Sequence, residues 1–288
     1  MPFRPSYAVP ASRRAYALEA GPAGVLMLHG FLGSPASSRP LAAYLAGRAI
    51  SVHCPLLPGH GELPDKLRGV PRQAWLAEAA GALEGLQADH DPIFLMGHSM
   101  GAVLSAQLAA GNPAVRGLIL LAPALDVPRR AIRLLRFGRH LLPWFYPHWL
   151  PRLRPLVYER LRDYDPSLDF ADPAVRARLP ELSRVPTGAI DEMRRVLDAG
   201  RRLWPRLDAP AIVFQGGGDI AVDSATTERL FAALPHPDKA YHYFETAGHE
   251  LMRPFEPVHA QVWPRIAAFI RRRAGAALVE PAELTPAR

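Results

Sequence analysis

Ile93-Phe94-Leu95-Met96-Gly97-His98-Ser99-Met100-Gly101-Ala102-Val103-Leu104 is the stretch that decides the fold. Its first four residues form an apolar run too short for a helix, and they read as a buried strand ending at Gly97. From Met100 the spacing turns helical as far as Ala110, with Gly111 as a natural C-terminal stop. Between strand and helix stands Gly97-His98-Ser99-Met100-Gly101, a G-x-S-x-G pattern. The bare pattern arises by chance in many chains, and the strand–turn–helix setting is what gives it weight. Small residues at 97 and 101 allow strand and helix to approach closely, which exposes the Ser99 hydroxyl at the sheet edge. The helix N-terminus then offers unpaired N–H groups to a developing oxyanion. A serine that merely caps the helix is the plainer alternative.

Outward from this turn, Val25–His29 is an apolar run closed by Gly30, and Ser51–Leu56 precedes the turn Pro58-Gly59-His60-Gly61. Residues 72–88 have helical spacing, and Gly117–Ala122 reads as another buried strand. Strands alternating with helices imply a mostly parallel central sheet, right-handed crossovers and helices on both faces. The alternation breaks at 124. Residues 124–206 carry helical stretches, the cluster Leu142-Pro143-Trp144-Phe145-Tyr146-Pro147-His148-Trp149, and no convincing strand. It resumes with a strand over Ala211–Gln215, a helix over 224–234, a strand over Lys239–Phe244 and a helix over 257–273. The expected organisation is a core over 1–123 and 207–274, an insertion over 124–206 and a flexible tail over 275–288.

Composition narrows the classes. With 288 residues, 49% hydrophobic and 21% charged, the chain is too apolar to stay unfolded. Cys54 is the only cysteine, which rules out an internal disulfide and thiol-pair redox chemistry. The amino terminus has no apolar leader-like core, and no run of about 18 apolar residues occurs, so a cytoplasmic protein is expected. The formal net charge of +7 is concentrated in residues 124–206, which hold 17 basic and 10 acidic residues. Those arginines are interleaved with acids and prolines, the pattern of solvated helix faces, and no nucleic-acid partner is expected.

A serine hydroxyl needs a histidine base within hydrogen-bond reach, itself held by a carboxylate. Of the 11 histidines, His249 in Thr246-Ala247-Gly248-His249-Glu250 follows the last strand, where it can hang over the same sheet edge as Ser99. His29 and His60 lie in glycine turns and His98 lies inside the elbow, and these three are expected to brace loops. For the acid, Gly216-Gly217-Gly218-Asp219 follows the strand 211–215. Asp223 and Asp126 are rivals that could instead cap helices. The order Ser99, Asp219, His249 is the chain order that goes with this turn motif. Oxyanion donors are expected at the backbone N–H of Phe31, in the loop Leu28-His29-Gly30-Phe31-Leu32-Gly33-Ser34, and at that of Met100. The three glycines 216–218 have no P-loop lysine, so phosphate binding there is a weak reading.

These segments together resemble the α/β-hydrolase superfamily: the His29-Gly30-Phe31-x-Gly33 loop, the Pro58-Gly59-His60-Gly61 turn, the elbow, Gly216-x-x-Asp219 and Gly248-His249. The likeness covers about residues 25–122 and 207–270 and is similar to small bacterial carboxylesterases and monoacylglycerol lipases. It implies an α/β-hydrolase fold with a helical cap inserted after the sixth strand. It also implies an acyl-enzyme on Ser99 with Asp219 and His249 as partners, and neither a metal nor a nucleotide cofactor. A small ester or lipid-like acyl compound is the expected substrate, with Phe31, Trp144, Phe145 and Trp149 lining its site. Thioesterase, lactonase, carbon–carbon hydrolase and acyltransferase reactions share the same acyl-serine logic. A scaffold that binds an apolar ligand without turnover is the reading from another class. Arg133, Arg136, Arg139, Arg152 and Arg154 bracket the aromatic cluster and would suit weak peripheral docking on an anionic membrane. The blander expectation is that Leu142, Trp144, Phe145 and Trp149 form the insertion's own core.

Overall fold

The computed structural model describes residues 3–125 and 142–275. Seven strands form one sheet: β1 (Tyr16–Leu18), β2 (Ala23–Leu28), β3 (Ile50–Cys54), β4 (Ile93–His98), β5 (Val115–Leu121), β8 (Ala211–Gly216) and β9 (Lys239–Phe244). Their spatial order is β1-β3-β2-β4-β5-β8-β9, and only the edge strand β1 runs antiparallel. β2, β4 and β8 are buried on both faces, which is why they read as continuous apolar runs rather than as alternating ones. Leu26, Leu28, Leu95, Leu118, Leu120 and Val213 face α2 (Arg72–Asp89) and α3 (Met100–Ala109). Val25, Met27, Phe94, Met96, Ile119 and Phe214 face α1 (Arg39–Ala46) and the C-terminal helix His259–Ala274.

The chain leaves β2 for β3 on one side and returns to β4 on the other, so the strand order reverses between β2 and β4. In open parallel sheets that reversal opens a crevice at the carboxyl ends of the strands. The loop after β2 and the elbow after β4 border it.

Two details depart from the sequence reading. Among the described residues only five strands precede residue 124, so the insertion follows the fifth strand rather than the sixth: the antiparallel edge consists of the three-residue β1 alone. The insertion also contains a two-residue ribbon, β6 (Trp144–Phe145) paired with β7 (Val185–Pro186). Its described α-helices are α4 (Arg154–Tyr164), α5 (Pro173–Ser183) and α6 (Thr187–Leu203). Val157, Leu161, Phe170, Leu179 and Leu182 form a small core of their own, with Tyr158 stacked on Phe170 at 4.1 Å between ring centres. α6 instead packs into the main core through Ala189, Val196 and Leu197, and the Gln107 amide donates to the Val196 carbonyl at 3.1 Å. The last helices are α7 (Ser224–Ala232) and α8 (His259–Ala274). Of the tail expected over 275–288, residues 276–288 lie outside the described residues, as do Asp126, Arg133, Arg136 and Arg139.

A Cβ on Gly101 would lie 2.1 Å from the Leu28 carbonyl oxygen, a main-chain atom that cannot move aside. Gly81, exposed on α2, has open space around it. Gly101→Ala is therefore expected to abolish soluble folded protein. Gly81→Ala should raise stability by about 0.5–1 kcal/mol, the helix-propensity gain of alanine over glycine. Expression and thermal melts of the two variants side by side check this.

Candidate active site

Ser99 sits between β4 and α3 with φ 55° and ψ −118°, a left-handed backbone for a side-chain-bearing residue. Such a conformation costs about 1–3 kcal/mol and persists only where the surroundings over-determine it. Here they do. The Ser99 N–H donates to the Leu121 carbonyl at 2.9 Å, and the Ser99 carbonyl accepts from Ala102 at 3.1 Å and from Ala124 at 3.3 Å. Gly97 makes the turn sterically feasible, because a Cβ there would lie 2.2 Å from the Gly101 carbonyl carbon.

The Gly30 loop comes against the elbow from β2: a Cβ on Gly30 would stand 3.2 Å from the Ser99 Cβ. The next residue, Phe31, packs edge-on against Trp75 and His60, with ring centres 6.0 and 6.1 Å away. As the first residue of α3, Met100 has an N–H with no intrahelical acceptor. Among the described hydrogen bonds, neither the Phe31 nor the Met100 N–H has an acceptor.

Asp219 and His249 meet. The His249 Nδ1 lies 2.7 Å from Asp219 Oδ2, and the Asp219 side chain is fully buried. The other carboxylate oxygen accepts from the backbone N–H groups of Ala221 at 2.8 Å and Val222 at 2.9 Å. Gln215 Nε2 also donates to Oδ2 at 3.2 Å. Burial works against the ionised form, but the His249 hydrogen bond and charge and these N–H donors outweigh it and hold Asp219 below the usual carboxylate range. A carboxylate so held fixes the orientation and tautomer of the imidazole, with the proton on Nδ1 and Nε2 left as the unprotonated nitrogen. No described hydrogen bond joins the Ser99 hydroxyl to His249.

The glycine run explains how the acid reaches the base. A Cβ on Gly216 would lie 2.3 Å from the Ala247 carbonyl oxygen, and one on Gly217 would lie 2.3 Å from that of Glu245. The Gly218 N–H donates to the Ala247 carbonyl at 3.0 Å. Loops after β8 and β9 therefore run backbone against backbone, which accounts for the glycines without any phosphate.

Asp223, the rival acid, caps α7 by accepting from the Thr226 N–H at 3.0 Å and the Thr226 hydroxyl at 2.6 Å. His29 accepts at Nε2 from the Leu57 N–H at 3.2 Å, and His60 Nδ1 lies 3.1 Å from the Pro58 carbonyl. His98 Nε2 lies 2.9 Å from the His249 carbonyl. Burial pushes His98 and His60 down to about 4, so both are neutral at pH 7 and the His98 Nε2 is the donor in that bond. Trp144 lies between Arg184 and Arg68, 4.5 and 5.6 Å from its ring centre. Phe145 is half-buried in the ribbon. Trp149 stacks on Tyr146 and is 64% exposed, as Leu142 is 60% exposed, so these two do not form the insertion's core. No described ring contact or hydrogen bond ties Trp144, Phe145 or Trp149 to Ser99.

Sequence reasoning overlooked a charge cluster beside His249. Glu250, almost fully buried, accepts from Arg160 Nη2 on α4, and Arg253 donates to Asp163 on the same helix. The Glu250–His249 adjacency was readable, but its partners stand 90 residues earlier in the chain. Glu250 is driven down to about 2: burial opposes its charge, and Arg160, His98, His249 and Arg253 more than compensate.

A family model described as "Hydrolase_4: Serine aminopeptidase, S33" matches residues 21–257. The chain belongs to that family. It is 27% identical over 233 residues to a thermostable monoacylglycerol lipase of Bacillus sp. (strain H-257), which covers 81% of this chain and 85% of the relative. It is 21% identical over 256 residues to a carboxylesterase of Bacillus subtilis (strain 168), covering 87% and 94%. The structure of a metagenome-derived lipolytic enzyme superposes with a TM-score of 0.75 at 23% identity, covering 92% of this chain and all of that one. The fold is that of the α/β-hydrolases. No described helix is long and apolar enough to cross a membrane.

Glu159, next to Arg160 on α4, has its carboxyl raised to about 7 by burial and by the nearby Glu250 charge, with Asp163 adding to this and Arg160 and Arg253 opposing it. As pH climbs from the ordinary carboxyl range towards 7 the unfolded chain ionises first, so the fold loses stability over that window. Glu159→Gln removes the loss. Its melting temperature should exceed that of the wild type at pH 8, with the advantage shrinking towards pH 5; an advantage independent of pH would contradict this origin.

Proposed function

We propose that the chain is a serine hydrolase that cleaves carboxylic esters, of the carboxylesterase or monoacylglycerol lipase kind, through an acyl-enzyme on Ser99. The observation that carries the reading is the 2.7 Å Asp219–His249 contact on the sheet edge that presents the strained Ser99. The Ser99 Oγ attacks the ester carbonyl while His249 Nε2 takes its proton. Asp219 stays ionised and stabilises the imidazolium. The tetrahedral oxyanion is received by the N–H groups of Phe31 and Met100, which have no described acceptor in the chain. His249 returns the proton to the leaving alkoxide. Water, activated by the same histidine, then releases the acid from Ser99.

The ester reading draws on the relatives, which are named as a monoacylglycerol lipase and a carboxylesterase. Phe31, beside the Gly30–Ser99 contact, is the side chain proposed to border the acyl group, with Trp144, Phe145 and Trp149 of the insertion as further candidates.

The test is hydrolysis of p-nitrophenyl esters with two to sixteen acyl carbons and of monoolein. Alanine p-nitroanilide is included because the family description names an aminopeptidase. Ester turnover should fall to background in Ser99→Ala and by on the order of 10⁴-fold in kcat in Asp219→Asn. Ester turnover that survives Ser99→Ala, or cleavage of the anilide alone, would overturn the proposal.

A further inference from the structure

Two acid–base pairs join the insertion to the loop that carries His249, and their polarity is reciprocal. On α4, Arg160 and Asp163 stand three residues apart on one face. On the loop, Glu250 and Arg253 also stand three residues apart, in a turn closed by the Arg253 N–H donating to the Glu250 carbonyl at 2.8 Å. Arg160 pairs with Glu250, and Arg253 pairs with Asp163. Docking in the opposite direction would set Arg160 against Arg253 and Asp163 against Glu250, so the pairs select a single orientation of the loop on the helix.

The cluster is largely out of water: the side chains of Glu250 and Arg160 are 3% and 19% exposed. One Glu250 oxygen and one nitrogen each of His98 and His249 lie within 4.8 Å of one another. At that range a bare carboxylate favours the imidazolium form of a histidine, and its effect is large when buried. The second Glu250 oxygen is buried and has no described hydrogen-bond partner, so Arg160 supplies the described side-chain hydrogen bond to this carboxylate and is the foremost of the charges that compensate it. The Arg160 guanidinium also reaches the other wall of the site, since a Cβ on Gly33 would lie 3.6 Å from its Nη1.

We propose that Arg160 is a positioning residue for His249, locking the histidine loop to the inserted helix through Glu250 and cancelling the charge that Glu250 would otherwise direct at the imidazole. The idea builds on the reading of His249 as the general base, but it concerns the protonation of that histidine and can be measured without turnover. Among the described residues, the other charged or titratable groups around the pair are Asp219 after β8, His98 in the elbow, His29 after β2, His60 in the turn after β3, Glu159 and Asp163 on α4, Arg253 and Glu256 on the loop, and Arg13 of the N-terminal turn. All of them are left intact in the variants below.

The experiment is an NMR titration of His249 in protein with isotope-labelled histidine, with the signal assigned through His249→Gln. Arg160→Met should raise the titration midpoint by about one unit, and Glu250→Gln should lower it, as expected for a single charge at this range. Arg160→Met combined with Glu250→Gln should return it to within about 0.2 units of the wild type, as should the conservative Arg160→Lys. The double variant carries no uncompensated charge and is expected to fold even if Arg160→Met does not, because a neutral replacement of a buried pair is commonly tolerated. In that event Glu250→Gln and the double variant suffice. A Glu250→Gln midpoint equal to that of the wild type, or a double variant no closer to the wild type than Glu250→Gln, would overturn the proposal. If the ester reading also holds, the acid limb of kcat/KM shifts in step with the midpoints. Absence of Ser99-dependent turnover with the predicted midpoints would refute the ester reading and leave the charge balance standing.

Discussion

Backbone packed on backbone at the carboxyl edge of the sheet is the constraint on which the site depends. α3 begins directly over the end of β2, with Gly101 against the Leu28 carbonyl, and Gly97 gives the same helix room at the end of β4. With no side chain at either position, the chain turns from strand to helix within two residues and Ser99 is forced into its left-handed conformation. Hydrogen bonds from Ser99 to Leu121 and from Ala124 to Ser99 tie that turn to the end of the neighbouring strand β5. The strain at Ser99 is thus offset by the sheet itself, which a loop alone could not do.

The same device recurs on the far side of the sheet. Gly216 and Gly217 let the loop after β8 lie against the main chain of the loop after β9, and this brings Asp219 to His249. Asp219 then has every demand of a buried carboxylate met by named donors: two backbone N–H groups, a glutamine amide and the imidazole. His98 holds the carbonyl of His249 from the elbow side. The Ser99 turn and the histidine loop are therefore positioned relative to each other by a direct bond and not only through the sheet. Beyond these main-chain contacts, the Arg160–Glu250 and Arg253–Asp163 pairs join the insertion to the histidine loop.

What could be read in the sequence follows from burial and from glycine. Strands buried on both faces leave unbroken apolar runs, so Ile93–His98 and Ala211–Gly216 were legible to within two residues. Close backbone approaches leave glycines, so the elbow and the acid loop were legible too. Short elements leave little trace. β1 has three residues and the β6–β7 ribbon two per strand, and α1 opens on Arg39-Pro40 and runs for eight residues. The aromatic cluster misled because apolar side chains usually pack inside, whereas Leu142 and Trp149 are exposed and the insertion's core is drawn from Val157, Leu161, Phe170, Leu179 and Leu182. The Arg160–Glu250 pair had no sequence signal, since Arg160 is one of 17 basic residues in that segment and nothing local marks its partner.

The geometry at this edge singles out Ser99 among the serines as the proposed nucleophile, driven by His249. The most direct test of this role is labelling with a fluorophosphonate, followed by mass mapping of the adduct, in the wild type and in His249→Ala. One adduct per chain is expected, on the peptide containing Ser99, forming at a rate that collapses in the histidine variant. No adduct, an adduct on a different serine, or an equal rate in His249→Ala would contradict it.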